Sequence, residues 1–161
     1  MKQNFSALLC AFVFATLLFS CKKETLEETS KIVPFTGTYT TTVELLSSPP
    51  MVQVRITGIG QSSDLGSGKF IAYSTLNLTT APPFRLGGIS TMFAANGDVF
   101  YTSFTGTQTP NTDGTNTVVM THTLRGGTGK YQNASGTFTG NTIVNQSSPA
   151  NTITLNGTIS Y

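Results

Sequence analysis

The chain has 161 residues, a formal net charge of +2 and only 10% charged residues, against 38% hydrophobic ones. That length suits a single domain. From Pro34 onward five basic residues (Arg55, Lys69, Arg85, Arg125, Lys130) stand against four acidic ones (Glu44, Asp64, Asp98, Asp113), a difference of +1. With no basic stripe to neutralise phosphates, nucleic acid is not an expected partner.

The first element lies outside the domain. Lys2 gives a small positive start, and "FSALLCAFVFATLLF", Phe5 to Phe19, is an apolar run of signal-core length, too short for a comfortable membrane span. It ends in "LLFSC", with Ser20 directly before Cys21 and Leu18 three residues before it. This resembles the bacterial lipobox, where cleavage precedes the cysteine and the thiol carries the lipid. Phe19 is bulkier than the usual residue at its place. An ordinary secretory signal containing a cysteine is the alternative. On the lipobox reading residues 1–20 are a signal peptide and Cys21 is the lipid attachment site. The protein is then exported, held at the bacterial outer membrane through its anchor, and periplasmic or surface-exposed. Cys10 falls inside the signal, so the mature domain has no disulfide, thiolate nucleophile or thiolate metal site. The stretch that follows, "KKETLEETSK", is charged and unpatterned, and 21–33 reads as a flexible tether.

From residue 34 to 161 alternation dominates and predicts one β domain. Tyr39, Val43 and Leu45 alternate with threonines and Glu44; Val52, Val54 and Ile56 alternate with Gln53, Arg55 and Thr57. Phe70, Ala72, Leu76 and Leu78 share a face, and Ile89, Phe93 and Ala95 run into Asn96-Gly97, a pair that favours a two-residue type I′ hairpin. Next come "VFYTSFTGT", "NTVVMTHTLRG", "SGTFTG" with "TIV", and "NTITLNGTISY". Threonine occurs 29 times and suits the wet face of a strand; no apolar period of a helix is sustained. About eight strands with short connections form a meander whose apolar face must close on itself. The expected fold is an all-β, eight-stranded antiparallel up-and-down β-barrel, its interior filled by side chains or holding one small ligand. A two-sheet β-sandwich is the alternative.

"GGTGKYQNASGTFTG", residues 126–140, poses the question of a phosphate loop. Such a loop needs a helix start after its glycines, and here Ser, Gly and Thr follow. Gly127, Gly129 and Gly136 are therefore read as structural glycines that bend a strand or admit close strand approach. The same segment resembles the Gly-Gly-Thr-Gly-Lys/Arg-Phe-x-x-Ala-x-Gly stretch of the allene oxide cyclase and dirigent-like (calycin-type) barrels, with Tyr131 for the usual Phe and Ala134 and Gly136 in place. "GIGQSSDLGSGKF" and "FAANGDVFYTSFTGT" resemble the preceding segments of secreted bacterial relatives, with Ser63-Asp64 where Thr-His is frequent. The resemblance implies an eight-stranded barrel with a cavity and, because such barrels are commonly trimers, a homotrimer. It carries over no catalytic residue.

Chemistry-bearing residues are few. His122 is the sole histidine, on the face of Val118, Met120 and Leu124, and reads either as a hydrogen-bonded interior histidine or as a polar handle in a ligand cavity. Asp64, Asp98 and Asp113 sit beside turn residues, which explains them. No cofactor and no metal site is expected, since one histidine and scattered acids give no ligand set. Candidate cavity-lining residues are His122, Tyr39, Phe70, Phe93 and Met120. The expected function is an exported, lipid-anchored barrel binding a small apolar or aromatic ligand. The alternatives are a barrel isomerase or cyclase acting by substrate positioning, and a structural or adhesive envelope lipoprotein with a filled barrel.

Overall fold

A computed structural model describes residues 30–161. Cys21 and the expected signal and tether lie outside the described residues, except for the last residues of the tether. Eight antiparallel strands follow in chain order: β1 (Ile32–Leu45), β2 (Met51–Ser62), β3 (Gly66–Asn77), β4 (Phe84–Phe93), β5 (Val99–Pro110), β6 (Asn116–Gly127), β7 (Ser135–Val144) and β8 (Asn151–Ser160). Each pairs with its neighbours in sequence, and β1 also pairs with β8, Ile32 opposite Ser160, so the sheet closes into a barrel. That last pairing is what a sandwich lacks, and it removes both free edges. β1 begins at Ile32, two residues ahead of the boundary read from sequence.

The two ends of the barrel differ. At one end lie the start of β1 and the turns β2–β3, β4–β5 and β6–β7. A plug of Phe35, Phe100, Phe138 and Tyr131, none more than 2% exposed, fills the interior there. The rings meet edge-on or tilted at centroid distances of 4.8 to 6.3 Å. Each buried ring contributes about 2–3 kcal/mol of hydrophobic stabilisation, plus a further gain from edge-to-face contact. A single 3₁₀ turn, Gly129–Tyr131, drops Tyr131 into the plug. No helical period in the sequence announces it, because one turn has none.

Glycines make this end possible. Gly126, at φ +79°, sits in a bulge of β6 where the register against β5 shifts between Phe100 and Thr102. Gly129 has φ +54°, and a Cβ there would overlap the Asp98 carboxylate. The glycine run is thus a strand corner and a tight turn. The β4–β5 connection departs from expectation. Gly97 has φ +91° but Asn96 does not have positive φ, and Ala94 N–H donates to Asp98 O at 2.8 Å. It is a three-residue loop with glycine in the left-handed position rather than a type I′ turn, which needs positive φ at both central residues.

Candidate functional site

Toward the opposite end the interior is not filled. A cavity of about 150 Å³ lies above the aromatic plug. Its floor includes Phe70, Met92, Phe104 and Phe138; its upper wall includes Val43, Val54, Leu76, Leu86 and Val144, with Gln108 and Asn151. Val43 is 50% exposed, which marks the mouth. No charged side chain lines the cavity among the described residues. An apolar cavity of this volume matches a benzene-sized molecule.

Of the residues singled out from sequence, Phe70, Met120 and His122 line this cavity. Tyr39 does not: it is 1% exposed, packs edge-on against Phe70 at 5.3 Å, and its hydroxyl donates to Ser62 Oγ at 3.2 Å. Burial raises the pKa of its hydroxyl, partly offset by that bond. Phe93 is a correction. It lies on the outer face, with Lys69 Nζ 5.1 Å from its ring centroid, while Met92 points inward at 2% exposure. Ile89, placed on the same face as Phe93 from sequence, is 62% exposed. The reason is physical: the inward positions of β4 are Leu86, Gly88, Ser90 and Met92, so a glycine and a serine interrupt its inward apolar face while Ile89 and Phe93 face out.

Ser90 belongs to the site that the alternation concealed. Ser90 Oγ and Thr102 Oγ1 are 2.7 Å apart, and Thr102 Oγ1 is 3.2 Å from His122 Nδ1. All three residues are buried. The imidazole is stacked on Phe138 at 4.7 Å and 9°, and lies 4.9 Å from Phe104. Burial pushes its pKa down to about 4, so the ring is neutral at pH 7. Its Nε2 has no hydrogen-bond partner, and neither has Thr142 Oγ1, on the same cavity wall. Of the other polar groups of the wall, Thr41 Oγ1 donates to Asn151 O, Ser74 Oγ donates to Gly87 O, and Asn151 Oδ1 accepts from Asn145 N–H.

A second polar cluster lies at the closed end. Tyr131 and Tyr161 hydroxyls each donate to the Asp64 carboxylate at 2.6 Å, and Lys130 Nζ lies 3.2 Å from it. Lys130 Nζ also sits 4.8 Å from both ring centroids. Burial favours the protonated acid, but the donated bonds outweigh it and hold the Asp64 carboxyl below the usual range. The hydroxyl of Tyr131 is pushed up by burial and by Asp64. This cluster ties the β2–β3 turn, the 3₁₀ turn and the residue after β8 together. It is a clasp over the plug and has no opening to the cavity lining. From sequence Asp64 reads as a turn residue, and nothing local signals partners 66, 67 and 97 residues away.

Among the described residues no three His, Cys, Asp or Glu side chains are grouped to hold a metal ion, and no helix is long and apolar enough to cross a membrane. No protein-family model matches the sequence, and no curated protein does.

Proposed function

We propose that the chain is an exported, lipid-anchored envelope protein whose barrel binds a small apolar or aromatic ligand. The observation that carries the reading is the apolar cavity of about 150 Å³, reaching solvent at one end of a barrel whose other end is packed solid. A filled structural barrel has no reason to leave this volume empty, because each unfilled methyl-sized void costs about 1 kcal/mol. An apolar cavity of this kind gains by being filled with an apolar guest. The resemblance to dirigent-like and allene oxide cyclase-like barrels agrees with the reading and is itself part of the proposal.

The isomerase or cyclase alternative is less well supported. A general base works best with a pKa near the operating pH, and His122 at about 4 is a weak one. The test is titration of the protein with α-methylstyrene, a one-ring hydrocarbon, followed by ligand-detected NMR. Saturable binding in the wild type and its loss in Ala72→Leu, which puts three carbons into the cavity wall, support the reading. Absence of binding in a folded wild type overturns it.

A further inference from the structure

We propose that His122 presents an Nε2–H donor to the cavity, and that the ligand is a neutral one-ring molecule carrying one acceptor oxygen, such as an aryl ketone. This deepens the proposed ligand binding and rests on it. The tautomer follows from counting hydrogens along Ser90, Thr102 and His122. If Ser90 donates to Thr102 and Thr102 donates to Nδ1, both hydroxyl hydrogens are used and only Nε2–H is left over. If instead Nδ1–H donates to Thr102 and Thr102 to Ser90, the Ser90 hydrogen and the Nε2 lone pair are both left over. Ser90 makes no other side-chain hydrogen bond, so that arrangement strands a buried donor and a buried acceptor. The first arrangement strands one group, and buried unpaired groups are costly. His122 therefore offers a donor, and its complement is an acceptor.

The space for that acceptor is set by Gly140. Nε2 of His122, Cδ1 of Ile153 and Cδ2 of Leu155 converge on the point where a Cβ on Gly140 would stand, at 3.3, 3.2 and 3.3 Å. The notch beside the nitrogen is tighter than a methyl group needs and close to the contact range of an oxygen, which enters it as the two aliphatic ends turn aside. The rest of the ligand is defined by the rest of the wall. With no charged side chain lining the cavity, an ionised ligand loses its hydration without a partner, so the ligand is neutral. Phe70, Phe104 and Phe138 offer ring surface to an aromatic body. Thr142 Oγ1 is the second unpartnered atom on the wall and, as a hydroxyl, adapts to donor or acceptor.

The test compares acetophenone with α-methylstyrene, which replaces the carbonyl oxygen by a methylene at nearly the same shape. In the purified full chain acetophenone should bind roughly two- to tenfold more tightly, the range of one neutral hydrogen bond. The His122 ring nitrogens in a ¹⁵N-labelled sample should report the Nε2–H tautomer, and that signal should shift on acetophenone and not on the hydrocarbon. In His122→Phe, which keeps a ring for stacking, the preference should vanish while α-methylstyrene still binds. Gly140→Ala, which fills the notch, should give the same result with the histidine intact. Equal binding of both probes to the wild type overturns the donor assignment and leaves the cavity reading standing. So does an Nδ1–H tautomer, or a preference that survives in His122→Phe. If neither probe binds the wild type, the proposed ligand binding fails and this inference with it.

Discussion

Replacing Asp64 by asparagine removes one negative charge from the clasp at the closed end while keeping its shape. The carboxylate accepts two short bonds, both 2.6 Å, from Tyr131 and Tyr161. Hydrogen bonds to an ionised acceptor are worth about 1.5–3 kcal/mol each, against about 1 for a neutral pair. The amide that replaces the carboxylate keeps one acceptor oxygen, so one tyrosine retains a neutral bond and the other exchanges a charged acceptor for an N–H, with Tyr131 keeping its 3.1 Å bond to the Asp64 backbone carbonyl. The Lys130 pair adds little, about 0–1 kcal/mol, because its ammonium is 40% exposed and screened by solvent. The loss at pH 7 is about 2 kcal/mol, which lowers the melting temperature by roughly 6–10 °C for a domain of this size. The pH dependence identifies the cause. Asp64 has a folded pKa below its unfolded value, so its contribution is complete above the unfolded value of about 3.9 and is lost as pH falls through the folded value. The gap between wild type and Asp64→Asn, measured by urea unfolding with tyrosine fluorescence, should be constant from pH 7 to 5.5 and should close in strong acid. An equal stability at pH 7, or a gap undiminished at pH 2.5, refutes the clasp as an electrostatic device.

The remaining predictions concern the histidine, the glycines and the anchor. His122 has a folded pKa near 4 against 6.5 in the unfolded chain, so the unfolded state binds the extra proton and stability falls as pH drops from about 6.5 to 4. The loss is on the order of 3 kcal/mol, and His122→Phe should flatten the stability curve across that window. Gly129→Val and Gly136→Val place a β-branched residue at φ +54° and +127°, with a Cβ that overlaps the Asp98 carboxylate in one and the Thr158 carbonyl oxygen in the other. Each should cost about 1–3 kcal/mol or more in thermal unfolding without altering binding of α-methylstyrene. Metabolic labelling with a lipid precursor should mark the wild type and leave Cys21→Ser unlabelled.

The legible parts of the fold are those in which polarity and direction agree. β6 and β8 alternate cleanly, Val118, Met120, His122 and Leu124 inward in one and Ile153, Leu155 and Ile159 inward in the other, and both can be read from sequence. β4 cannot, because a barrel interior need not be apolar where a hydrogen-bonded network occupies it. Ser90 faces in to meet Thr102, and Ile89 faces out at 62% exposure. His122 is legible as an inward residue because its strand neighbours fix the phase. Its partners are not, since Thr102 and Ser90 join it only through the β4–β5 and β5–β6 pairings. The asparagine–glycine pair announces a turn but not its length, which depends on the Asn96 side chain accepting from Asp98 N–H at 3.0 Å. The Asp64 clasp joins three separated segments and leaves no periodic trace.

The barrel divides its work between its ends, and the histidine stands at the boundary. Below it, rings and a carboxylate clasp close the interior; above it, aliphatic side chains leave a volume open. Under the proposed reading this polarity sets the end by which a ligand enters. The described chain enters at Ser30 and Lys31, where Lys31 and Tyr161 pair through their backbones, at the closed end. A barrel with strands of 10 to 14 residues, tilted as closure requires, sets its mouth roughly 30 Å from that end. The end where the described chain begins and the entrance are therefore opposite, and the wall between them is continuously paired. Under the proposed reading a ligand reaches His122 past the rim formed by Val43, Leu45, Leu46 and Met51, each 44% exposed or more. An apolar rim of this kind lowers the cost of moving an apolar molecule out of water into the barrel. Exchange should therefore respond to polar substitutions at Leu45 and Met51, at the mouth, and not to changes at Ser30 and Lys31, at the opposite end.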